Sequence, residues 1–580
     1  MERPAHLSPD PDTSGGAAAI AAAAGAGVRT LFTLSGAHVF PLYDAAHRGA
    51  HPIPMIDVRH EASAVFAAEA VGKLTRTPGF AVVTAGPGVT NAVSPITQAY
   101  FSGAPLVVFG GRAPEASWGR GALQELDQAP ILASVTKASV TIREAAQVGP
   151  ATAQAFATAA EAHRGPVFLE AGIDTLFLPV PDDGALACSA PGSAGSAAPA
   201  SAAPASAAPG SLATGAGAPG SRAGHGDLDQ LAALIRIAER PIVVIGADVW
   251  ADGAEREALV FAEQLDLPVV TNGMGRGIIP GGHPCCVSRA RTRAFGECDL
   301  AIVIGTPLDF RLGYGAFGPV AAPAPVIHLA DAPSQLAGHR PLAGSAAGGL
   351  GGILTSLTEL IREPGAWRTW RRDLSEGARA AYEQDRELLR ADRDPIHPAR
   401  IYGDLLPRLT PETIVIGDGG DFVSWAGRFV HPSRPGRWLD PGPFGCLGAG
   451  LGAAIGARVA DPHAPIVLLL GDGAAGMSLM DLDTLVRHKL PVVIVLGNNS
   501  AWGLEKGPMQ MIYGYDVLAD LAPQTRYDQV VTALGGAGEL ITRPRDIGPA
   551  LDRAFTSGVP YLLNVVTDPA IAYPRATTGL

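Results

Sequence analysis

Apolar residues in this chain gather into short runs that end in polar or glycine turns. Near the C-terminal end two such runs, Ile466–Leu470 and Val492–Leu496, each follow a proline. Between them Leu479, Met480, Leu482, Leu485 and Val486 recur at helical spacing. Continuous apolar runs of this length predict strands buried on both faces, and the spacing between them predicts a crossover helix. The segment therefore reads as a right-handed βαβ unit with two parallel, adjacent strands. The same alternation recurs upstream, in Leu31–Leu34, Ile53–Ile56, Phe80–Val83, Pro241–Ile245, Leu267–Thr271, Leu300–Ile304 and Thr413–Ile416. An apolar run over Ala17–Ala24 leads straight into Val28-Arg29-Thr30-Leu31-Phe32 and reads as a first helix, not a signal peptide.

The turns after the two C-terminal strands carry the chemistry. Gly471-Asp472-Gly473 follows the first and Asn498-Asn499 the second, with 24 residues between the motifs. Both then lie at carboxyl ends of neighbouring strands, where open α/β sheets bind ligands. Asp472 offers a charged oxygen, Asn499 a neutral one, and the carbonyl of Ala501 a third. Magnesium takes octahedral oxygen ligands and leaves part of its shell to phosphate and water, so these residues suit a magnesium diphosphate. Gly471 and Gly473 allow close backbone approach, and Ala474 continues the turn. A Gly-Asp-Gly turn alone is an ordinary loop; the pairing at this spacing is what points to a site.

The pairing resembles the signature of the thiamine-diphosphate (ThDP) enzymes. The resemblance implies a second half-site with a glutamate that activates the cofactor's aminopyrimidine. Val58-Arg59-His60-Glu61-Ala62-Ser63, then Gly86-Pro87-Gly88-Val89-Thr90-Asn91, is similar to the arrangement in acetolactate-synthase-like members. Glu61 is then the activating acid, which lets the aminopyrimidine take the thiazolium proton; Gly86 and Asn91 are cofactor contacts. By residues alone, Glu61 also suits a helix N-terminus.

Further residues follow from the same resemblance. Leu447, in Gly445-Cys446-Leu447-Gly448, corresponds to the wedge that bends the cofactor. Asp421 and Phe422 lie in a loop beside the diphosphate. Glu505, six residues after Asn499, moves a proton on a substrate oxygen, with Leu504 beside it. Leu123 and Gln124 face the reactive carbon, Leu123 limiting acyl size and Gln124 binding a substrate oxygen. His38 sits in a loop near the partner's cofactor, where a capping or core role serves equally well. The stretches Val287–Ala294 and Pro307–Gly315 are more similar to 2-hydroxyacyl-CoA lyases and oxalyl-CoA decarboxylases than to FAD-holding acetolactate synthases. Arg291 is then the residue for the nucleotide part of CoA or of ADP, since arginine forks suit phosphate; FAD is unsupported, though not excluded.

Length and composition set the frame. The 580 residues allow three or four domains. The resemblance implies an α/β fold of three doubly wound parallel-sheet domains: pyrimidine-binding (17–183), middle (227–365) and diphosphate-binding (395–580). Residues 184–226, nearly all Ala, Ser, Pro and Gly, read as a flexible linker; the charged stretch 366–394 reads as a helical one. A net charge of −12 argues against nucleic acid or an acidic membrane as partner, and no apolar run reaches the length of a span. Five cysteines without ligand or pairing pattern fit reduced thiols in the cytoplasm.

The activity expected from these residues is a 2-hydroxyacyl-CoA lyase, reversibly splitting a short 2-hydroxyacyl-CoA into formyl-CoA and an aldehyde or ketone. The alternative is acetolactate synthase, condensing pyruvate with a 2-oxoacid. A non-catalytic ThDP-fold protein is the alternative from another class; intact Glu61, Asp472 and Asn499 argue against it. The resemblance also implies a homodimer or homotetramer, with Glu61 of one chain serving the cofactor of another.

Overall fold

The computed structural model describes residues 12–180 and 225–574 of the chain. The Ala/Ser/Pro/Gly segment expected over 184–226 lies outside these residues except at its last two positions, where a helix, His225–Ile237, has begun. Arg575, in the C-terminal tail, also lies outside them.

Three all-parallel sheets form from successive stretches of chain. The first contains β1 (Leu31–Thr33), β2 (Met55–Asp57), β3 (Gly79–Val83), β4 (Leu106–Arg112), β5 (Ala138–Ile142) and β6 (Pro166–Gly172), in the order β2-β1-β3-β4-β6-β5. The second contains β7 (Pro241–Ile245), β8 (Val269–Thr271), β9 (Leu300–Ile304), β10 (Val326–Ala330) and β11 (Gly344–Ala347), ordered β11-β10-β9-β7-β8. The third contains β12 (Ile414–Asp418), β13 (Trp438–Leu439), β14 (Ile466–Gly471), β15 (Val493–Asn498), β16 (Ala537–Ile541) and β17 (Tyr561–Val566), ordered β13-β12-β14-β15-β17-β16. The first and third sheets are thus wound identically. The fold is α/β, as expected, and the central strands are buried throughout because helices cover both faces.

Some local expectations shift. The strand expected over Ile53–Ile56 starts at Met55, because Pro54 has no N–H to give the ladder. The single crossover helix expected between the C-terminal motifs is two, Asp472–Ser478 and Asp481–Arg487. Asn498 lies within β15 itself.

The first and third sheets are joined by two crossing helices, Glu61–Thr75 and Gly450–Ala460. Their glycines allow backbone contact: a Cβ on Gly456 would lie 2.1 Å from the Ala67 carbonyl oxygen, and one on Gly452 2.7 Å from the Phe66 Cβ. One apolar core runs across this junction. Asp481 strengthens it by accepting the Arg59 amide at 2.9 Å and the Ser63 hydroxyl. Gly456→Ala cannot be absorbed by a rotamer change, since the clash is with backbone. It should cost about 3 kcal/mol, read as a lower thermal midpoint; an unchanged midpoint would mean a looser crossing.

A charged helix, Arg368–Leu389, lies between the second and third sheets in sequence and is held to both domains. Trp370 donates to the Pro241 carbonyl at 3.1 Å, and Trp367, just before the helix, to that of Leu265 at 2.8 Å. Buried Asp385 accepts Arg289 from one side and Arg428, at 3.1 Å, from the other.

Candidate active site

The carboxyl ends of β12, β14 and β15 open onto a cleft of about 420 Å³. This is the switch point of the third sheet, where the winding reverses between β12 and β14. Three helices start at its wall: Asp421–Phe429, Asp472–Ser478 and Gly503–Tyr513. None has a side-chain cap at its N-terminus. Their first amides and aligned dipoles make the cleft attractive to an anion such as diphosphate.

The residues expected to hold a cation face the same space. Asp472, Asn499 and Ala501 all line the cleft. Asp472 accepts the amides of Ser500 at 2.7 Å and Gly473 at 2.9 Å. Burial still raises its carboxyl to about 6, against those hydrogen bonds. A carboxylate held this far from water without a charged partner suits a divalent cation. The Asn499 side-chain oxygen accepts the Ala501 amide at 3.1 Å, which fixes its direction. Ser500, between them, holds a left-handed backbone at φ 55°, a strain of about 1–3 kcal/mol that the surrounding bonds maintain. Asn498 does other work: it donates to Asn564 at 3.0 Å inside the core.

The two glycines of the turn differ. A Cβ on Gly471 would meet nothing closer than 3.9 Å, so its bareness serves the cleft rather than protein packing. A Cβ on Gly473 would lie 2.6 Å from the Trp502 ring, so that glycine makes room for an indole. Ala474 is buried beneath them.

Leu447 also lines the cleft, half-buried against the core shared by the first and third domains. Its loop is pinned by Asp418, at the end of β12, which accepts the Gly448 amide at 3.1 Å and the Gly450 amide at 2.7 Å. Asp418 is fully buried, and burial raises its carboxyl to about 6. Sequence reading missed this residue; its one signal was a lone acid closing an apolar strand. Phe422 and Asp421 begin the helix on the opposite wall, and Asp421 accepts the Tyr573 amide. Tyr573 also stacks edge-on against Trp425, at 5.0 Å between centroids, so Tyr573 is docked beside the cleft.

Leu504 and Glu505 complete the lining. Glu505 is exposed and makes no ion pair among the described residues. Lys506 turns instead to Asp520 and, at 3.8 Å, Asp516. The glutamate next to the cleft is therefore free to act on a bound molecule.

The first sheet builds a separate polar group at the ends of β1, β3 and β4. Glu61 is buried as the first residue of its helix and accepts the Asn91 amide group at 3.1 Å. Gly86 opens the loop that carries Asn91, at φ 60°. A Cβ there would lie 2.9 Å from the Gln124 Cβ, and Gln124 itself holds a left-handed φ of 59°. His38 is buried, 3.2 Å from the Thr84 hydroxyl and bonded to the Leu123 backbone, and burial lowers its pKa. Leu123 stands 76% exposed. The structure thus brings Glu61, Asn91, Gly86, Gln124, His38 and Leu123 onto one end of the sheet.

A second residue missed by sequence reading organises that end. Gln128 is fully buried; it accepts the Gly86 amide at 2.6 Å and donates to Gly111 at 3.0 Å and Glu170 at 2.6 Å. It ties the Gly86 loop to β4 and β6. No residue of the first domain lines the third-domain cleft.

The three stretches correspond to three parts of one known architecture. Residues 13–131 match the N-terminal TPP binding domain of thiamine pyrophosphate enzymes, 228–357 their central domain and 418–565 their C-terminal TPP binding domain. The chain belongs to the thiamine pyrophosphate enzymes. It is 43% identical over 552 residues to a "Probable acetolactate synthase" of Mycobacterium bovis (strain ATCC BAA-935 / AF2122/97), covering 95% of each chain. The "Acetolactate synthase large subunit IlvG" of Mycobacterium tuberculosis (strain ATCC 25618 / H37Rv) gives the same figures, 43% over 552 residues and 95% of each chain. A "2-hydroxyacyl-CoA lyase 2" of Caenorhabditis elegans is 33% identical over 545 residues, 89% of this chain and 82% of that one.

In this thiamine pyrophosphate enzyme the central domain borders a second cavity, of about 610 Å³, walled by all three domains. Arg291 does not line it. Arg291 is half-buried, packs 4.7 Å over the Phe295 ring and donates to the Arg311 carbonyl; desolvation lowers its pKa to about 10. Arg311 is the arginine on the lining, and Asp309 neutralises it at 2.7 Å. Lys73, the other cation there, pairs with Glu69 at 2.6 Å. Asp248 and Asp440 add two carboxylates. These residues fit the diphosphate of CoA, ADP or FAD poorly, because both cations are already paired and the remaining charge is negative. Arg289 and Arg293 are likewise engaged, with Asp385 and with Glu297 at 3.2 Å. Among the described residues no helix is long and apolar enough to cross a membrane.

Proposed function

We propose that this thiamine-diphosphate enzyme is a magnesium-dependent carbon–carbon ligase of the acetolactate synthase kind, which decarboxylates pyruvate and joins the remaining fragment to a second 2-oxoacid. The observation that carries this reading is the 43% identity over 95% of each chain to proteins named acetolactate synthase, against 33% for those named 2-hydroxyacyl-CoA lyase 2. The middle cavity supports it: the one arginine on its lining, Arg311, is paired with Asp309, which weakens the residue argument for coenzyme A.

The proposed roles draw on the geometry of the cleft and of the Glu61 group. Asp472, Asn499 and the Ala501 carbonyl hold magnesium, and the three helix N-termini hold the diphosphate. Once bound, the cofactor supplies a nucleophilic carbon and an electron sink. Leu447, on the cleft wall, would support the bound cofactor. Glu61, oriented by Asn91, exchanges a proton with the cofactor's ring nitrogen. Glu505 moves a proton on the substrate oxygen, while Leu504 and Leu123 bound the acyl group. Gln124 and His38 offer hydrogen bonds to substrate. Because the cleft draws no wall from its own first domain, the Glu61 group serves the cleft of a partner chain, in a homodimer or homotetramer. Exposed Leu123 and Phe40, and exposed Met477 and Met480 beside the third-domain cleft, fit such a covered face.

One observation favours a second reading, the 2-hydroxyacyl-CoA lyase. Glu505 has no protein partner and lines the cleft, as a proton acceptor for a cleaved 2-hydroxyl would. A one-pot mass-spectrometric assay with pyruvate and a short 2-hydroxyacyl-CoA separates the two. Acetolactate without formyl-CoA is expected; formyl-CoA without acetolactate would overturn the proposal in favour of the lyase.

In either chemistry Glu505→Gln should lower kcat by about 100-fold and leave ThDP affinity unchanged, since the side chain makes no structural contact. A kcat within twofold of wild type would remove Glu505 from the mechanism.

A further inference from the structure

Beside the middle cavity, His163 of the first domain meets Asp248 and Asp331 of the second. His163 lies in the loop before β6, Asp248 in the helix that follows β7, and Asp331 directly after β10. The His163 Nδ1 is 3.1 Å from both Asp331 carboxylate oxygens and 3.8 Å from the Asp248 Oδ1. One ligand atom from each residue lies within 4.8 Å of the others. A tetrahedral ion bound at about 2.1 Å keeps its ligands roughly 3.4 Å apart, so these separations bracket what it needs.

Asp248 supplies an independent sign of a ligand. It is only 7% exposed, and its carboxylate has no described donor nearer than the His163 ring, at 3.8 Å. Buried carboxylates normally have donors. The Asp331 carboxylate faces the same ring, so a single histidine confronts two acids. Asp248 and His163 also line the cavity, which leaves the fourth direction open to water or a small ligand. The His163 ring is fixed from behind: a Cβ on Gly103 would lie 2.6 Å from its Cε1, so only glycine admits the imidazole in this position.

We propose that His163, Asp248 and Asp331 form a divalent-metal site, distinct from the magnesium site at Asp472, that clamps the first domain to the second. Imidazole with two carboxylates and an open position suits zinc or another first-row ion better than magnesium or calcium. The site accounts for the sparse bonding of the Asp248 carboxylate and for the acidic balance of the cavity. It does not depend on which carbon–carbon reaction the cleft performs.

The test uses the full-length protein saturated with ThDP and excess magnesium, then dialysed against buffered zinc and analysed for metal by mass spectrometry. One zinc per chain is expected for wild type and for Asp472→Asn. Asp248→Asn and Asp331→Asn should bind it about 100-fold more weakly or worse, since losing even an outer-shell partner costs about 10–100-fold. Cobalt(II) added to wild type keeps the idea testable if a variant misfolds: a tetrahedral cobalt absorption band at one ion per chain is expected. No retained zinc in wild type, full retention in Asp248→Asn, or no cobalt band would each overturn the site.

Discussion

Glu61→Gln should leave the protein folded and able to bind ThDP and magnesium, yet lower turnover by about 1,000-fold. Glutamine fills the same space at the helix start and can still accept the Asn91 amide, which Glu61 accepts at 3.1 Å, so the fold has little reason to change. What it cannot do is exchange a proton with the cofactor. Removing the negative charge from a helix N-terminus costs at most about 1 kcal/mol, so a large fall in thermal midpoint is not expected. Hydrogen–deuterium exchange at the cofactor's thiazolium carbon, followed by NMR, should slow in step with turnover. Activity within about tenfold of wild type would separate Glu61 from the chemistry.

Asp472→Asn has the other large expected effect. It removes the only formal charge among the proposed magnesium donors, so magnesium affinity should fall by about 100-fold or more and ThDP-dependent activity with it. The cofactor-free protein should respond in the opposite sense. Burial raises the Asp472 carboxyl from 3.8 to about 6. The folded state therefore holds the proton more tightly than the unfolded state, and ionisation is a cost, present in full above about pH 6 and relieved as pH falls toward 4. A shift of that size corresponds to about 3 kcal/mol. Asparagine removes the cost but turns a donor toward the Ser500 amide, so the informative quantity is the trend. In urea titrations without cofactor, the stability of wild type relative to Asp472→Asn should rise as pH is lowered from 7 to 4. A flat difference would mean the carboxylate is already compensated by the protein.

The parts of this molecule legible in its sequence are those with a local signature. Buried parallel strands read as unbroken apolar runs, which is why β14 and β15 and the motifs at their ends were visible. The Glu61 and Gly86–Asn91 segments were visible through resemblance, and the structure brings them together. Residues that act through long-range contacts were not visible. Asp418 and Gln128 are single polar residues whose task appears only when the loops they pin are placed beside them. Arg291 is similar to a phosphate ligand in sequence, yet the fold spends it on the Arg311 carbonyl. The break between Ser478 and Asp481 was hidden because Leu479 and Met480 continue the apolar period across it. His163, Asp248 and Asp331 share no spacing, since three separate connections deliver them to one point.

Subunit complementation tests the central claim most directly, that a working site needs the first domain of one chain and the cleft of another. Glu61→Ala and Asp472→Ala variants, each inactive alone, are mixed, dissociated and reassembled. If sites are shared between chains, half of randomly formed dimers are hybrids with one intact site of two, and activity returns to about a quarter of wild type. Persistent inactivity of verified hybrids would contradict the shared site and place Glu61 and Asp472 in the same chain's active centre.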